Sequence, residues 1–460
     1  MRRSVLARFL PPALLAVVLV NLASAPAGAL EVFDTEKKMR AFLGLPIRYP
    51  VPKTPPDNPM TREGVALGRF LFYDTRLSGN LTQSCASCHQ QALAFTDGLP
   101  LGVGSTGQVH PRNSMSLSSV GYASVLAWAN PMLLQLEQQI LLPMFGETPV
   151  ELGLAGKEDE LLARLNADAR YRRLFAEAFP TVEGMPATDP ITVGNVVRAI
   201  ASFTRTLISS DSPFDDYFYR FDDSALSESA KRGIDLFFTE RLECFHCHGG
   251  TFFSASITFV GKEIDEIQFD NNGLYNLDGQ GAYPAHNRGI LEITGDPHDM
   301  GRFKAPTLRN IALTAPYMHD GTMTSLESVL IDQYAHGGRL TTEGPNAGDG
   351  STSPLKSPFV RGFTLTDQEK QDILELLNSL TDERFVTNPR YSDPFPAPAC
   401  AADCDLDEQA SAGDARAAVD TALGVATLSH CVTADANGDG AITVDELVAA
   451  TKAALGGCSS

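Results

Sequence analysis

Apolar side chains recur at helical spacing along most of the chain, which predicts a mainly α-helical protein. Two such runs, at 65–71 and 234–237, each precede a short segment that contains two cysteines, and Ser227 is typical of an N-cap for the second run. A third run, at 191–208, is amphipathic along its length. It leads into Asp211-Ser212-Pro213, a turn-like sequence that would join two helical domains.

The first 29 residues have the pattern of a secretory signal peptide. Arg2 and Arg3 precede an apolar run at 13–20, and small residues fill 23–29. That run is shorter than the roughly 20 residues a spanning helix needs, although a retained N-terminal anchor is the alternative. No other stretch is long and apolar enough, so no permanent membrane span is expected. We expect an exported protein, most simply periplasmic.

Length and charge narrow the function further. The chain has 460 residues and a formal net charge of −20, with 43% apolar and 20% charged residues. That length suits two or three folded domains. An acidic chain lacks the basic surface that neutralises phosphates, so nucleic acid is not expected as a partner.

Eight cysteines are unusual as free thiols in an oxidising compartment, and four of them fall in two copies of one motif. The copies are Cys85-Ala86-Ser87-Cys88-His89 and Cys244-Phe245-His246-Cys247-His248. This C-x-x-C-H spacing is the attachment sequence of c-type haem. Its two thiols lie on one helical turn and bond to the vinyl groups of a porphyrin, while His89 or His248 supplies an axial nitrogen to the iron.

A redox disulfide or half of a zinc site is the other interpretation of one such pentapeptide. It does not account for two copies in an exported chain with no further cysteine or histidine pair at zinc spacing in either helical domain. We therefore predict two covalently attached haem c groups, each in its own helical domain.

Three longer stretches carry a family resemblance: Gly79-Asn80-Leu81-Thr82-Gln83-Ser84-Cys85, Trp128-Ala129-Asn130-Pro131, and Arg302-Phe303-Lys304-Ala305-Pro306-Thr307-Leu308-Arg309-Asn310. With the two haem motifs, they make residues 62–389 resemble the bacterial dihaem cytochrome c peroxidase and MauG superfamily, in its MbnH-like branch. The resemblance implies two cytochrome c-like haem domains. It also implies peroxide-driven oxidation of a tryptophan in a partner protein.

By position, Trp128 matches the family tryptophan that lies between the two haems. It is the only tryptophan in the chain. An ordinary core aromatic is the alternative interpretation. The resemblance implies a relay role, because an indole is readily oxidised and can pass an oxidising equivalent between two irons that do not touch.

Gln139, Pro143 and Glu151 match the pocket over the peroxide-binding haem, which the resemblance assigns to the His89 site. A carboxylate there can move the proton that the cleavage of hydrogen peroxide requires, so Glu151 is the candidate acid and base. Two residues are inserted between Gln139 and Glu151 relative to the family, which leaves Glu147 as a rival. Without the resemblance, either carboxylate would be taken as a solvated surface group.

Tyr334 matches the position where the MauG-like branch has a tyrosinate as second axial ligand of the C-terminal haem. The peroxidase branch has methionine there, which raises the haem potential and suits electron uptake from a small cytochrome. An anionic oxygen ligand favours storage of oxidising equivalents instead. The alternative is that Met318, Met323 or His336 is the ligand and that Tyr334 is a buried helix residue.

Asn113, Thr314 and Pro316 match the superfamily's calcium site between the domains, the latter two through backbone oxygens, and hard oxygen ligands suit calcium. These residues are also common in turns for structural reasons. His110 could reach the first haem as a resting-state ligand, as in the peroxidase branch, but its offset from Asn113 departs from that pattern. An open site on the first haem is therefore expected.

After Pro389 the composition changes to alanine, aspartate and proline, and Pro394-Phe395-Pro396-Ala397-Pro398 is typical of a linker. The segment 435–446 then matches the EF-hand loop, with glycine at the sixth position and glutamate at the twelfth. Its calcium ligands would be Asp435, Asn437, Asp439, Ala441 and Glu446.

A shift of 32 residues aligns this loop with an earlier copy, in which Asp403, Asp405, Asp407 and Asp414 hold the acidic positions. Glu408 replaces the required glycine and Asp414 is shorter than glutamate, so this copy should bind calcium weakly or not at all. The tail thus resembles a dockerin-like EF-hand pair, with a stabilising or anchoring role. Its cysteines would form two disulfides whose pairing stays open: Cys400, Cys404, Cys431 and Cys458.

The predicted organisation is a signal peptide at 1–29, haem domains at 30–212 and 213–390, a linker at 391–402 and an EF-hand module at 403–460. The expected function is that of a periplasmic oxidase that reacts with hydrogen peroxide, stores two oxidising equivalents over both haems and oxidises a tryptophan or similar residue of a secreted protein. One alternative is a cytochrome c peroxidase that takes electrons from a small cytochrome. The other is a dihaem electron carrier without enzymatic activity.

Overall fold

The computed structural model describes residues 30–181, 188–395, 403–406 and 409–456. This part of the chain is mainly helical, as the apolar pattern predicts, with two small sheets. None of the described helices is long and apolar enough to cross a membrane. Several predicted features lie outside the described residues: the signal peptide, most of the linker, Cys400, Asp407, Glu408 and Cys458.

The helices follow one another along both halves of the chain. They are α1 (Glu36–Leu43), α2 (Arg62–Tyr73), α3 (Cys85–Cys88), α4 (Leu136–Phe145), α5 (Glu158–Ala167), α6 (Ala169–Ala178), α7 (Val193–Arg205), α8 (Pro213–Tyr219), α9 (Glu228–Phe237), α10 (Leu291–Thr294), α11 (Leu326–Ser328), α12 (Asp367–Ser379), α13 (Glu383–Thr387), α14 (Ala412–Ala422) and α15 (Val444–Gly456). A π-helix, Val329–Ala335, follows α11 directly. The antiparallel strand pairs are β1 (Phe269–Asp270) with β2 (Phe303–Lys304), and β3 (Leu340–Thr341) with β4 (Gly348–Asp349).

Helices α2 and α7 form the centre of the N-terminal half, residues 30–212, and a glycine lets them touch. A Cβ at Gly68 would lie 1.9 Å from the carbonyl oxygen of Ala199, so a side chain at this crossing would collide with backbone. Thr61 and Thr192 cap the two N-termini with their hydroxyl groups. The tight crossing fixes α2, which leads into the first haem motif.

Helices α9 and α12 repeat this arrangement in the C-terminal half, residues 213–390. A Cβ at Gly233 would lie 2.1 Å from the carbonyl oxygen of Asp372. Ser227 caps α9 by accepting a hydrogen bond from the amide of Ala230, which confirms the predicted start of this helix. A close glycine crossing therefore holds the helix before each of the two haem motifs.

Arg309 joins the two halves from a fully buried position. Its guanidinium donates to both carboxylate oxygens of Asp215 at 2.9 Å and to the carbonyl oxygens of Ser209 and Thr251. All five N–H groups therefore have an acceptor. The ring of Tyr49 lies 5.5 Å from the guanidinium carbon.

The tail helices pack against the N-terminal half, since their buried side chains share a core with α2, α6 and α7. Arg170, on α6, lies 3.3 Å from the Asp435 carboxylate, and Arg173 donates to the carbonyl oxygen of Gly440 at 2.5 Å. The predicted calcium loop therefore docks on α6.

One tail disulfide joins Cys404 to Cys431, which settles part of the pairing that the sequence leaves open. The described part of the predicted linker, 391–395, is also packed in place. The Phe395 ring meets the Phe70 ring edge-on at 5.4 Å. The proline-rich composition of the predicted linker would by itself predict a loose connection.

Asp215→Asn should lower the free energy of unfolding by about 3–5 kcal/mol, because the Arg309 charge would stay buried without its partner. Asp265→Asn is the matched control: its pair with Lys53 is 40% exposed at both side chains. That loss should cost less than about 1 kcal/mol. Chemical denaturation followed by circular dichroism measures both values, and equal losses would contradict the central role of the buried pair.

Candidate dihaem site

The first C-x-x-C-H motif forms the single turn α3 and then leaves the helix. The turn is fixed at its start because the Ser84 amide donates to the Ser87 hydroxyl at 3.0 Å. His89 follows Cys88 directly in the chain, and its Nδ1 lies 2.9 Å from the carbonyl oxygen of Phe95. This bond leaves Nε2 to face a metal, the orientation an axial ligand needs. Burial lowers the pKa of His89 and so favours the neutral imidazole that binds iron.

The second motif reaches the same geometry through a different local structure. A 3₁₀ turn, Cys244–His246, places both cysteines in the wall of a cavity. Nδ1 of His248 lies 3.0 Å from the carbonyl oxygen of Phe253, and burial lowers the pKa of His248 as well. We name this space the His248 cavity.

The four motif thiols have the chemistry that haem attachment requires. None of them is in a disulfide. Burial raises the pKa of Cys85 and that of Cys244 to about 12, so both are protonated thiols. The His248 cavity has an empty volume of about 1510 Å³, which includes the open solvent at its mouth. Neutral thiols beside a neutral imidazole in this space fit a covalently attached porphyrin.

Tyr334 lies in the wall of the His248 cavity. It is carried by the π-helix Val329–Ala335, a geometry that is frequent at functional sites. The side chain of Asn272 lies near its hydroxyl, and Gln333 donates to the backbone carbonyl of Asn272 at 2.6 Å. Burial raises the pKa of Tyr334, so only a bound cation would favour its anionic form.

Of the rival ligands, Met318 shares the cavity wall with Tyr334. Its sulfur accepts a hydrogen bond from the Asn272 amide at 3.5 Å. Met323 packs in the aromatic core, and Nδ1 of His336 lies 2.6 Å from a backbone carbonyl. Tyr334 and Met318 are thus the two candidates in the cavity wall, on either side of one amide.

Trp128 faces the second motif and is bonded to a loop beside the first. It lines the His248 cavity, and its Nε1 donates to the carbonyl oxygen of Asn113 at 2.8 Å. Asn113 begins a loop whose Met115 carbonyl faces the imidazole of His89. The indole is therefore connected to the first motif through this loop and to the second through the cavity wall.

Gln139 and Pro143 share α4, and Glu151 follows the helix after a turn. The Leu152 amide donates to the Pro143 carbonyl at 2.9 Å, which ties the two segments together. The Oε1 atom of Gln139 is buried without a hydrogen-bond partner. Such an orphaned acceptor is costly, and it fits a side chain that faces a bound ligand.

The two rival carboxylates differ in their surroundings. Burial raises the pKa of Glu151, which moves it toward the range where a carboxyl can both take and give a proton. Its charge also raises the pKa of Cys85 and Cys88, so it lies beside the first motif. Glu147 is exposed. Of these two rivals, Glu151 is the one that the fold brings beside the first motif.

The three predicted interdomain calcium ligands, Asn113, Thr314 and Pro316, lie in the wall of the His248 cavity. Because Nδ2 of Asn113 donates to a backbone carbonyl at 2.7 Å, Oδ1 is the atom that could meet a cation. His110 turns its Nδ1 to the backbone amide of Arg112, from which it accepts a hydrogen bond at 3.1 Å.

In the second tail loop, the predicted ligands fold inward onto the amides of the loop. The Asp439 amide donates to Asp435 and the Asn437 amide donates to Glu446, both at 3.1 Å. The Ala441 amide donates to Asp439 at 2.9 Å. The carboxylates of Asp435, Asp439 and Glu446 are thus bonded to amides of their own loop.

The earlier copy of this loop is described in part. Oxygen atoms of Asp403, Asp405 and Asp414 lie within 4.8 Å of one another. Asp414 also accepts hydrogen bonds from the amide and hydroxyl of Ser411, at 2.8 and 2.6 Å, and so caps α14. The role of Asp414 in capping α14 therefore accounts for its position without a bound ion.

Sequence reasoning missed two residues at the site. Asn272, whose side chain lies near the Tyr334 hydroxyl, has no sequence signal beyond a turn composition. Lys304 is buried, and its Nζ donates to the Val125 carbonyl at 3.0 Å, while its amide donates to the Trp128 carbonyl at 2.9 Å. Burial lowers the pKa of Lys304 to about 8. Its place in one of the family-like stretches was the available signal.

Known proteins share both the sequence and the fold. A family model described as di-haem cytochrome c peroxidase matches residues 62–224. The cytochrome-c peroxidase IdrP1 of Pseudomonas sp. (strain SCT) is 33% identical over 368 residues, which are 76% of this chain and 90% of that protein. The methylamine utilization protein MauG of Methylorubrum extorquens is 31% identical over 346 residues, 75% of this chain and 85% of that protein.

Solved structures extend this likeness. The crystal structure of a MauG-like protein associated with microbial copper homeostasis is 49% identical, with a TM-score of 0.73, and covers 76% of this chain and 98% of that one. The dihaem peroxidase BthA from Burkholderia thailandensis, 20% identical with a TM-score of 0.51, shares the fold. The chain therefore belongs to the dihaem cytochrome c peroxidase and MauG family of haem-dependent oxidoreductases, in its MbnH-like branch.

Proposed function

We propose that this protein is an exported oxidase that reacts with hydrogen peroxide and oxidises a tryptophan or similar residue of a separate secreted protein. The observation that carries the proposal is Tyr334 in the wall of the His248 cavity. The 49% identity to a MauG-like protein also supports it. The signal-peptide pattern at 1–29 supports a periplasmic location.

The chain's own residues would do the following. The two C-x-x-C-H motifs would hold two haem c groups, with His89 on one iron and His248 and Tyr334 on the other. When bound, the haems would supply the redox chemistry. Glu151 would take a proton from the inner oxygen of peroxide and give it to the outer one, which leaves as water. Gln139 would hold the peroxide by a hydrogen bond.

Trp128 would pass oxidising equivalents between the two sites. Its Nε1 proton is bonded to the carbonyl of Asn113, which is not a base. The indole therefore keeps its proton when it loses an electron, and the electron can return without any proton transfer. This reversibility suits a relay that must share two equivalents over two centres.

A cytochrome c peroxidase is the second candidate, favoured by Met318 in the cavity wall and by the relatives named as such. Stoichiometric peroxide added to the purified protein, with visible and near-infrared spectra, tests both. A lasting two-equivalent oxidised state with slow turnover supports the oxidase. Rapid steady-state turnover with a reduced small cytochrome would support the peroxidase and reject the oxidase.

Tyr334→Phe should change the visible spectrum of the second haem and raise its midpoint potential by on the order of 0.1 V, because an oxygen ligand would be lost. Tyr317→Phe removes another phenol from the same cavity wall and should change neither. Spectroelectrochemistry measures both variants. An unchanged potential in Tyr334→Phe, with a change in Met318→Leu, would overturn the tyrosine assignment.

Glu151→Gln should slow the reaction with peroxide by about 10²–10⁴-fold, since the proton would lack its carrier. Glu147→Gln is the matched control, because the exposed Glu147 lies only four residues away in the chain. Stopped-flow absorbance at the haem bands gives both rate constants. Equal slowing in the two variants would argue against Glu151 as the acid and base.

We further propose that calcium binds at the second tail loop and at the Asn113, Thr314 and Pro316 site. Glu446→Gln should bind one calcium ion fewer per chain than the wild type, because the loop loses its bidentate carboxylate. Asp445→Asn makes the same charge change next to it and should keep the wild-type number. Equilibrium dialysis of the full chain counts the ions, and an unchanged count in Glu446→Gln would reject the loop as a site.

A further inference from the structure

Three tyrosines belong to the aromatic cluster that packs beside Trp128. Tyr283 donates its phenol proton to a side-chain amide oxygen at 2.9 Å, and Tyr317 donates to a backbone carbonyl at 3.2 Å. Tyr275 differs, because its phenol donates to the carboxylate of Asp320 at 2.7 Å. Among the three, Tyr275 alone is bonded to a base.

This base matters because a phenol that loses an electron becomes strongly acidic, so its proton must have somewhere to go. Thr322 donates its hydroxyl to the other oxygen of Asp320 at 2.8 Å and so orients the carboxylate. Burial raises the pKa of Tyr275, which keeps the resting phenol neutral. Trp128, by contrast, donates to the Asn113 carbonyl, which cannot take a proton.

Ring contacts lead from the second haem site to Tyr275. His319 lines the His248 cavity, and the Phe303 ring stacks on it at 3.6 Å. The Tyr283 ring lies 6.3 Å from His319 and 5.4 Å from Tyr275. Each step is a contact between packed side chains, so Tyr283 lies one ring beyond the cavity wall and Tyr275 lies two rings beyond it.

We infer that Tyr275 is a redox-active tyrosine and that Asp320 is its proton acceptor. The inference rests on the proposed function, which supplies the oxidant, the haem pair after its reaction with peroxide. The O–H bond of Tyr275 breaks: one electron reduces that oxidant by one equivalent, and the proton moves to the Asp320 carboxylate. A neutral phenoxyl radical and a protonated Asp320 remain. While no partner protein is bound, the oxidising equivalent is thereby drawn away from Trp128.

Another tyrosine and carboxylate pair must be told apart from this one. Tyr171 donates to Asp74 at 2.6 Å in the N-terminal core. The guanidinium of Arg76 also binds Asp74, at 2.8 and 3.0 Å, so that carboxylate already has a charged partner. Tyr171 lies outside the aromatic cluster beside Trp128.

The test is electron paramagnetic resonance on the full-length protein with both haems attached, frozen after one equivalent of peroxide without a partner protein. The wild type should show a tyrosyl radical whose signal narrows with ring-deuterated tyrosine. Tyr275→Phe should abolish that signal and lengthen the life of the peroxide-oxidised state about tenfold or more. Tyr317→Phe, the matched control, should leave both unchanged.

Asp320→Asn separates the base from the ring, because it keeps a hydrogen-bond acceptor but loses the basic carboxylate. It should slow radical formation about tenfold or more while the resting haem spectrum stays that of the wild type. A radical that persists in Tyr275→Phe, or that disappears in Tyr171→Phe, would overturn the assignment. If peroxide leaves the haem spectrum of the wild type unchanged, both the proposed function and the role of Tyr275 are rejected. If the spectrum changes but no tyrosyl radical forms, only the role of Tyr275 is rejected.

Discussion

The buried guanidinium of Arg309 joins the two halves, because it pairs with Asp215 in the C-terminal half and donates to the Ser209 carbonyl in the N-terminal half. Every donor of the guanidinium has an acceptor, so the charge is stabilised only where those acceptors meet. Thr251, one of them, follows the second motif closely in the chain. Lys304, in the same stretch as Arg309, bonds the backbone of Trp128. Moving Arg309 would therefore shift the segment after the second motif and Trp128 together.

Each motif histidine is oriented by a backbone carbonyl and not by another side chain. His89 and His248 both use Nδ1 for this bond, five or six residues along the chain from its acceptor. The helices that lead into the motifs are held by glycine crossings at Gly68 and Gly233. Because backbone positions are fixed by the fold, the imidazole direction is set before any metal binds, which is what pre-organised ligation requires.

Local features were predictable from the sequence because their physics is local. The haem motifs follow from a spacing within one turn, and the start of α9 follows from the hydroxyl of Ser227. The choice between Glu147 and Glu151 was open, since two carboxylates four residues apart look alike until burial separates them. The linker composition at 391–395 likewise did not predict the contact of Phe395 with Phe70, a partner far back in the chain.

The sequence by itself determined the covalent chemistry, the helical architecture and the family, because thiol spacing, apolar periodicity and long motifs are written in consecutive residues. The tertiary structure decided which side chains face one another. It placed Tyr334 and Met318 on either side of Asn272, and it paired Tyr275 with Asp320 across 45 residues. Such pairings depend on burial and on distances through space, and no local pattern in the chain records them.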